Sequence, residues 1–336
     1  MSFESATETA GRLHPDAEVA GRGANGNGHA NGNGAVAIPP PLRADGTRSE
    51  AVSLLRDYVA LTKPRIISLL LLTTVAAMFV AAPSGPAITT ILWTMLGGYL
   101  AAGGAGAINH YIDRDRDARM ARTRRRPLAS GRIAPAHGLA FGIALGALAV
   151  LQLALTVNVL AALLSLAGLL GYVFVYTAWL KPLTPQNIVI GGAAGAVPPL
   201  VGWAAATGGL ALEALYPFGI VFLWTPPHFW ALALLIKDDY ARTGVPMLPV
   251  VRGEQATRRQ ILAYSLVLVT ATLLPVATGL FGALYAVAAL ALGAGFIGLA
   301  WALLRSPTRR AALRLYLSSL AYLALLFCAM AVDRAL

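Results

Sequence analysis

The sequence predicts an all-α polytopic membrane protein, with nine transmembrane helices around a central cavity. Of the 336 residues, 57% are apolar and only 12% are charged, and the mean hydropathy is +0.66. This composition is typical of membrane proteins. Apolar runs of about 20 residues recur along the chain, and this length crosses a hydrocarbon core about 30 Å thick. Lysine and arginine are concentrated in alternate connections between these runs, which is the charge pattern of membrane topology.

The N-terminal region differs from the rest in composition. Residues 1–50 contain GANGNGHANGNG and a run of three prolines, and they carry too few large apolar groups to offset the entropy of folding. We therefore expect a disordered tail at 1–50 and a transmembrane domain at 51–336. The tail has no apolar core of a signal peptide, and Glu4, Glu8 and Asp16 argue against an organelle transit peptide. A bacterial cytoplasmic (inner) membrane is the expected location.

Nine apolar runs give the expected spans. They lie at about 66–83, 88–112, 135–155, 158–177, 187–206, 212–236, 260–280, 283–304 and 313–331. The turns at 84–87, 156–157, 207–211 and 281–282 contain neither lysine nor arginine. The positive-inside rule therefore places the N-terminus and the basic loops in the cytoplasm and the C-terminus on the outer side.

The two longest cytoplasmic loops resemble each other. One follows the second span and reads DRDRDARMARTRRRPL, and the other follows the sixth span and reads KDDYARTGVPMLP. Each opens with acidic residues and closes with proline and leucine, four helices apart. This predicts a four-helix pseudo-repeat followed by a ninth helix.

The first loop predicts a metal-bound phosphate. Asn109, Asp113 and Asp117 are spaced by four, so on a continuing helix each lies about 40° around and about 6 Å along from the last. Two carboxylates and an amide oxygen on one face are suitable ligands for Mg²⁺, and nearby arginines bind polyanions. Asp115 falls near the opposite face. The alternative is that the aspartates only neutralise a basic loop, in surface pairs worth about 0–1 kcal/mol each.

Two proline pairs interrupt the predicted spans, at 198–199 and 226–227. Proline in a membrane helix frees backbone groups that hydrocarbon cannot satisfy, so the broken turns are expected to face protein or a cavity. A cavity beneath the two acidic loops follows from this interpretation. Kinks needed only for packing are the alternative.

Several stretches resemble a known family. The N-x-x-x-D-x-x-x-D pattern followed by RTRRRPLASG resembles the intramembrane aromatic prenyltransferase superfamily. Six blocks in order are similar to the protohaem IX farnesyltransferase family within it: LTKPR, NHYIDRD, YTAWLK, TPQNIVIGGAAGAVPPLVGWAA, TPPHFWALAL and DDYARTGVPMLPVV. The resemblance runs from about residue 55 to the C-terminus and excludes the tail.

The resemblance implies an activity and its partners. A farnesyl group would pass from farnesyl diphosphate to a vinyl group of haem B, with addition of water, giving haem O and diphosphate. Mg²⁺ is the implied cofactor. Membrane lipid and a downstream haem-modifying enzyme are implied partners, whereas nucleic acid is not, because the basic residues after position 65 lie in short gaps between apolar runs.

The resemblance also assigns roles to residues of both loops. Matching positions would hold Mg²⁺–diphosphate through Asn109, Asp113 and Asp117, provide counter-charges through Arg122, Arg126 and Lys181, and form a second acidic site through Asp238 and Asp239. The second loop departs from the D-x-x-x-D spacing because Arg242 and Thr243 follow. This argues against a second full metal site and allows one carboxylate to orient a basic residue instead. Pro182 also replaces the second basic residue expected after Lys181.

His228 is the candidate haem contact, because a polar side chain within a span requires a partner and haem iron is one. Trp224, Phe229 and Trp230 offer flat aromatic surface beside it. The alternative is a neutral imidazole bonded to a carbonyl freed by the prolines.

Two rival functions remain open from the sequence. One is an enzyme of the same fold that prenylates a quinone precursor or chlorophyllide. The other is a secondary transporter, because broken helices and buried polar residues are also typical of transporters. The acidic residues lie at one membrane face rather than at the bilayer centre, which argues against transport.

Overall fold

The computed structural model describes residues 45–336, with side chains described from residue 52, and this part of the chain is helical without a strand. The helices are α1 (Asp45–Thr62), α2 (Pro64–Ala81), α3 (Ile88–Arg119), α4 (Pro135–Thr156), α5 (Val159–Leu170), a π-helix (Gly171–Leu180), α6 (Lys181–Leu183), α7 (Asn187–Thr207), a 3₁₀ turn (Leu212–Ala214), α8 (Leu215–Leu235), α9 (Lys237–Arg242), α10 (Leu248–Val251), α11 (Gly253–Ala277), α12 (Ala283–Arg305) and α13 (Arg309–Ala335). The predicted tail lies outside the described residues up to position 44, and its last residues belong to α1. Residues 57–336 form one compact unit.

The predicted spans are confirmed. Nine helical segments in the described part are long and apolar enough to cross a membrane: α2, α3, α4, the segment from α5 to α6, α7, the 3₁₀ turn with α8, α11, α12 and α13. The chain is therefore a multi-pass membrane protein. The main difference is α3, which continues to Arg119, beyond the predicted end at 112. The first acidic sequence is thus part of a helix rather than a loop.

Glycines allow the backbone of α3 to approach its neighbours closely. A Cβ added at Gly104 would lie 2.7 Å from the carbonyl oxygen of Gly142 on α4, and one at Gly106 would lie 3.1 Å from that of Leu61 on α1. Such small-residue contacts are a common packing mode of membrane helices. We call these two contacts the glycine seam; it fixes α3 on two sides.

The proline pairs do not break their helices, contrary to the expectation from the sequence. Both α7 and α8 continue through their prolines. Each proline removes a single backbone hydrogen bond, and neighbouring helices and local adjustments can compensate for that loss. Pro199, Pro226 and Pro227 are buried and Pro198 is half-buried, so the weakened turns face protein, as expected.

The π-helix between α5 and α6 is a feature that the sequence did not predict. Its wider winding follows an i to i+5 pattern, and such segments occur frequently at functional sites. The Thr177 hydroxyl donates to the Tyr172 carbonyl five residues earlier, at 2.8 Å. The segment ends directly before Lys181, and it brings Thr177 and Lys181 to α3.

Candidate active site

Asn109, Asp113 and Asp117 form one buried polar face on α3. Each is at most 5% exposed, and the helix is continuous through all three, as their spacing predicts. The Asp115 side chain is 81% exposed and lies 3.6 Å from Arg114. The three residues are called the α3 stripe below. Burial of two carboxylates costs several kcal/mol for each ion unless cations and hydrogen bonds compensate.

Asp113 lies at the centre of this compensation. Its Oδ2 accepts hydrogen bonds from Lys181 Nζ and, at 2.9 Å, from Asn109 Nδ2. Its Oδ1 lies 3.4 Å from Arg116 Nη1. Lys181, predicted as a counter-charge, therefore lies at the α3 stripe, and Arg116 is an additional cation there.

Asp117 has its own cation. Arg126 Nη1 lies 2.7 Å from Asp117 Oδ2, and both side chains are about nine-tenths buried. Thr123 donates its hydroxyl hydrogen to the Asp117 carbonyl at 3.0 Å, which folds the basic segment after α3 back onto the helix end. Arg126 is thus placed beside the α3 stripe, where the sequence predicted it.

The second acidic loop contributes one buried carboxylate rather than two. Asp239 is buried and Asp238 is exposed, so the structure does not bring the predicted pair together. Asp239 is paired with Arg122 Nε at 3.4 Å and with Arg242. The Arg122 guanidinium also lies 5.6 Å from the centre of the Tyr240 ring, and burial raises the pKa of the Tyr240 phenol above its usual range. Arg122 therefore connects the basic segment after α3 with α9.

Lys63 is a site residue that the sequence analysis did not single out. Its Nζ donates to Asn109 Oδ1 at 2.6 Å, from the turn between α1 and α2. Its backbone has φ 59° and ψ 54°, a left-handed conformation that costs a non-glycine residue about 1–2 kcal/mol. Burial and the nearby Arg126 lower the pKa of Lys63 to about 7. The available signal was a lysine immediately before the proline that begins a span.

Thr177 is a second residue that the analysis missed. Its hydroxyl oxygen accepts a hydrogen bond from Asn109 Nδ2 at 3.2 Å. The amide group of Asn109 is therefore held by Lys63 on its oxygen and by Asp113 and Thr177 on its nitrogen. These contacts orient the amide oxygen of the α3 stripe.

The donor set fits a divalent cation bound together with a polyanion. Within residues 52–336, no three histidine, cysteine or acidic side chains converge as a metal site. The α3 stripe offers two carboxylates and an amide oxygen, so further ligands must come from water or substrate, as is usual for Mg²⁺. The basic side chains around these oxygens and Asp239 are Lys63, Arg116, Arg122, Arg126, Lys181 and Arg242. They outnumber the carboxylates, which favours an incoming anion.

His228 lies in α8, with its imidazole held by two helices. Its Nδ1 is 2.6 Å from Ser319 Oγ on α13, and its ring stacks on Trp224 and Tyr316 at centroid distances of 4.2 and 5.0 Å. Its partner is thus a hydroxyl, not a carbonyl freed by the prolines. Trp224 lies beside His228 as the sequence suggested.

The other two aromatic candidates are placed differently. Trp230 is 2% exposed and packs edge-on against Tyr264 of α11 at 5.3 Å. At about 100° per residue, it points about 160° away from His228. Phe229 is half-buried and lies about 100° from His228 on the same helix. The structure therefore brings only Trp224 of the three tryptophan and phenylalanine candidates against His228.

With this geometry described, comparison with known proteins identifies the family. The model of the UbiA prenyltransferase family matches residues 70–327. The chain belongs to the UbiA prenyltransferase family. Solved structures of UbiA homologues share its fold: one from Aeropyrum pernix K1 has a TM-score of 0.65 at 21% identity, covering 80% of this chain and 98% of the homologue. Another, from Archaeoglobus fulgidus and bound to DMAPP and Mg²⁺, has a TM-score of 0.60 at 16% identity, covering 82% and 99%.

Among individual proteins, the chain is similar to several that are named protoheme IX farnesyltransferase. A protoheme IX farnesyltransferase of Roseiflexus sp. (strain RS-1) is 57% identical over 282 residues, which is 84% of this chain and 53% of the relative. One of Symbiobacterium thermophilum is 56% identical over 288 residues, which is 85% of this chain and 96% of the relative. The chain therefore spans about half the length of the Roseiflexus protein and almost all of the Symbiobacterium protein.

Proposed function

We propose that this chain transfers a farnesyl group from farnesyl diphosphate to a vinyl group of haem B, with addition of water, and releases haem O and diphosphate. The buried α3 stripe within its excess of cations carries this proposal, because a diphosphate complexed with a divalent cation requires this combination of charges. The name of the relatives at 57% and 56% identity supports haem as the acceptor.

The reaction begins when the bond between farnesyl C1 and the diphosphate oxygen breaks, and the electron pair leaves with diphosphate. Lys181, Arg126 and Lys63 lie where this negative charge develops, and such preorganised charges stabilise a transition state. When bound, the proposed cofactor Mg²⁺ would supply Lewis-acid neutralisation of the leaving charge. Asn109, Asp113 and Asp117 would hold it, and the DMAPP- and Mg²⁺-bound UbiA homologue supports this choice.

The second half of the reaction joins farnesyl to haem. The π electrons of the haem vinyl group attack the allylic C1, and water adds to the resulting cation and loses a proton. Haem O then leaves into the membrane, where a haem-modifying enzyme would receive it. Arg122, which is paired with Asp239, would provide a further positive charge for the released diphosphate.

Gly195 on α7 supports a location for the farnesyl chain. A Cβ added at Gly191 would lie 2.3 Å from the Tyr176 ring, and one at Gly202 would lie 2.1 Å from the Thr74 carbonyl oxygen. Gly195 lies between them on the same face, opposite the exposed Ile190, yet a Cβ there would meet nothing within 4 Å. Gly195 lies about one helical turn, or 6 Å, further along α7 than Gly191, which faces the Tyr176 ring. The open space is therefore deeper in the membrane than Tyr176.

Gly195→Leu is expected to lower affinity for farnesyl diphosphate by about tenfold or more, because the new side chain occupies space for the apolar chain. Affinity for dimethylallyl diphosphate, which is too short to reach this depth, should change much less. Calorimetric titration of both ligands measures the difference. Gly298→Leu is the control, because Gly298 is exposed and a Cβ there also meets nothing within 4 Å. Equal losses for both ligands would rule out this location.

The distribution of lysine and arginine among the connections suggests how the chain is oriented in the membrane. We propose a bacterial inner membrane, with the tail of residues 1–50 and the acidic loops in the cytoplasm and the C-terminus outside. In a Cys328→Ser background, cysteines at exposed positions Arg124 and Arg252 are expected to react only after the inner side is opened, and one at Ser84 in intact cells. Membrane-impermeant maleimide labelling measures this. The opposite labelling pattern would show that the chain crosses the membrane in the reverse orientation.

Pigment extraction tests the function itself. A host that lacks its own haem farnesyltransferase should accumulate haem O when it expresses this chain, and mass spectrometry of extracted haems detects the added farnesyl and water. Unchanged haem B together with a newly prenylated quinone precursor would instead show the same fold acting on another acceptor.

A further inference from the structure

The imidazole of His228 is fixed more completely than a packing role requires. Ser319 bonds its Nδ1 at 2.6 Å, and two nearly parallel rings stack on it, Trp224 at 16° and Tyr316 at 26°. Trp224 is itself fixed, because its Nε1 donates to the Ser319 carbonyl at 2.8 Å. Ser319 is completely buried. The plane and the rotation of the imidazole are therefore both determined.

The hydrogen bonds of Ser319 also determine which imidazole nitrogen carries the proton. Ser319 Oγ lies 2.6 Å from the Tyr316 carbonyl oxygen, and a carbonyl can only accept. A serine hydroxyl has a single hydrogen, so donation to Tyr316 leaves Oγ with only lone pairs for His228. Nδ1 must therefore carry a hydrogen and donate it to Oγ. In the neutral ring, this leaves Nε2 unprotonated, with its lone pair in the ring plane.

We propose that Ser319 is a positioning residue that holds His228 in the Nδ1–H tautomer, so that Nε2 ligates the iron of haem B. The inference rests on the proposed haem acceptor and adds the iron ligand and the residue that prepares it. Metal-bound histidines usually donate their other N–H to an acceptor, which sets the tautomer and the ring orientation. Histidine is also a common axial ligand of haem iron.

The position of His228 suits this role. It lies seven residues before the end of α8 at Leu235, about 10 Å along the helix below the second acidic loop. A haem ligated there lies beneath the diphosphate and within the apolar bundle. Trp224 and Tyr316 stack on the imidazole ring, whereas a ligand of Nε2 approaches in the plane of the ring, along the nitrogen lone pair.

The test compares haem binding by the purified full-length chain and four variants. Absorption titration gives haem affinity, and the iron–imidazole stretching band in resonance Raman spectra of ferrous haem reports the hydrogen bond at Nδ1. Ser319→Ala should lower haem affinity about tenfold or more, in the range found when partners of metal-bound histidines are removed, and should shift the stretching band. Ser319→Thr should restore both, since it keeps the hydroxyl. His228→Ala should remove the band.

Ser265→Ala is the matched control. Ser265 is also completely buried, and its hydroxyl also donates to a carbonyl of its own helix, that of Ile261 at 2.7 Å. No site residue is bonded to it in the described hydrogen bonds. This variant should bind haem like the wild type. Farnesyl diphosphate binding should stay normal in all four variants.

The outcomes separate this inference from the proposed function. An unchanged band and affinity in Ser319→Ala would overturn the role of Ser319, and an unchanged spectrum in His228→Ala would overturn the iron ligand. Either result is compatible with haem O production in the expression host. Conversely, suppose that the expression host accumulates no haem O although the purified chain binds haem through His228. That result would overturn the proposed reaction but not the assignment of His228 as iron ligand.

Discussion

Asp113→Ala and Asp117→Ala are each expected to lower farnesyl transfer by about 10²–10³-fold or more, the loss seen when one preorganised electrostatic group is removed from an active site. Each change deletes a buried carboxylate of the α3 stripe, the one paired with Lys181 and Arg116 in the first case and with Arg126 in the second. Asp115→Ala should retain almost full activity, because its side chain is exposed. Steady-state turnover with farnesyl diphosphate and haem B measures all three.

Folding is controlled separately, because unpaired buried cations are destabilising. Asp113→Asn and Asp117→Asn keep the side-chain volume and a hydrogen-bonding oxygen, so their thermal unfolding should be less affected than that of the alanine variants. They should nevertheless lose most activity, since an amide is a weaker ligand for Mg²⁺ than a carboxylate. Equal losses at positions 113, 115 and 117 would contradict the assignment of function to one helical face.

Removal of divalent cations is expected to stop turnover completely and reversibly. Excess chelator should weaken farnesyl diphosphate binding strongly, and added Mg²⁺ should restore both binding and rate. Haem binding should be unaffected, because the α3 stripe and His228 belong to different parts of the bundle. Parallel titrations of the two substrates, with and without chelator, measure this contrast.

The excess of cations makes this a discriminating experiment. If Lys63, Arg126 and Lys181 could neutralise the diphosphate alone, activity would persist in excess chelator, and Mg²⁺ would be removed from the mechanism. If chelation abolished haem binding as well, the metal would have a structural role. Only selective loss of diphosphate binding agrees with a metal held between the α3 stripe and the substrate.

The sequence alone was enough to predict the spans and the common face of Asn109, Asp113 and Asp117, because both depend only on local properties of the chain. Hydrocarbon requires continuous apolar helices, so span number follows from apolar run length. The i, i+4, i+8 spacing then fixes one face of α3 without knowledge of any other helix. Asp115, between these positions, is exposed as this geometry requires.

The contacts that cross between helices could not be obtained in this way. Because of the π-helix, Thr177 and Lys181 lie at other angles around the helix axis than they would if α5 continued as an α-helix. No residue of GYVFVYTAWL predicts a π-helix. Lys63, which donates to Asn109, has a left-handed backbone, which is unusual for lysine. Arg122, which the sequence grouped with Arg126, instead pairs with Asp239 on the other loop.

The partner of His228 illustrates the same limit. Ser319 lies 91 residues further along the chain, in a span whose apolar pattern shows no sign of function. The sequence identified the imidazole as needing a partner, and the two partners it suggested were a local carbonyl and a haem iron. The hydroxyl became visible only when α8 and α13 were packed together.

The glycine seam has a consequence for precision. Its contacts join backbone to backbone, without rotatable bonds between α3 and its neighbours, so almost no side-chain conformational entropy is lost in forming them. Asn109 lies within two turns of Gly104 and Gly106, on a single uninterrupted helix. A Cβ at Gly104 would lie too close to the Gly142 carbonyl for α3 and α4 to keep their present positions, and a shift of α3 would move all three side chains of the α3 stripe. The position of the α3 stripe therefore depends on the absence of a side chain at two glycines earlier in the same helix.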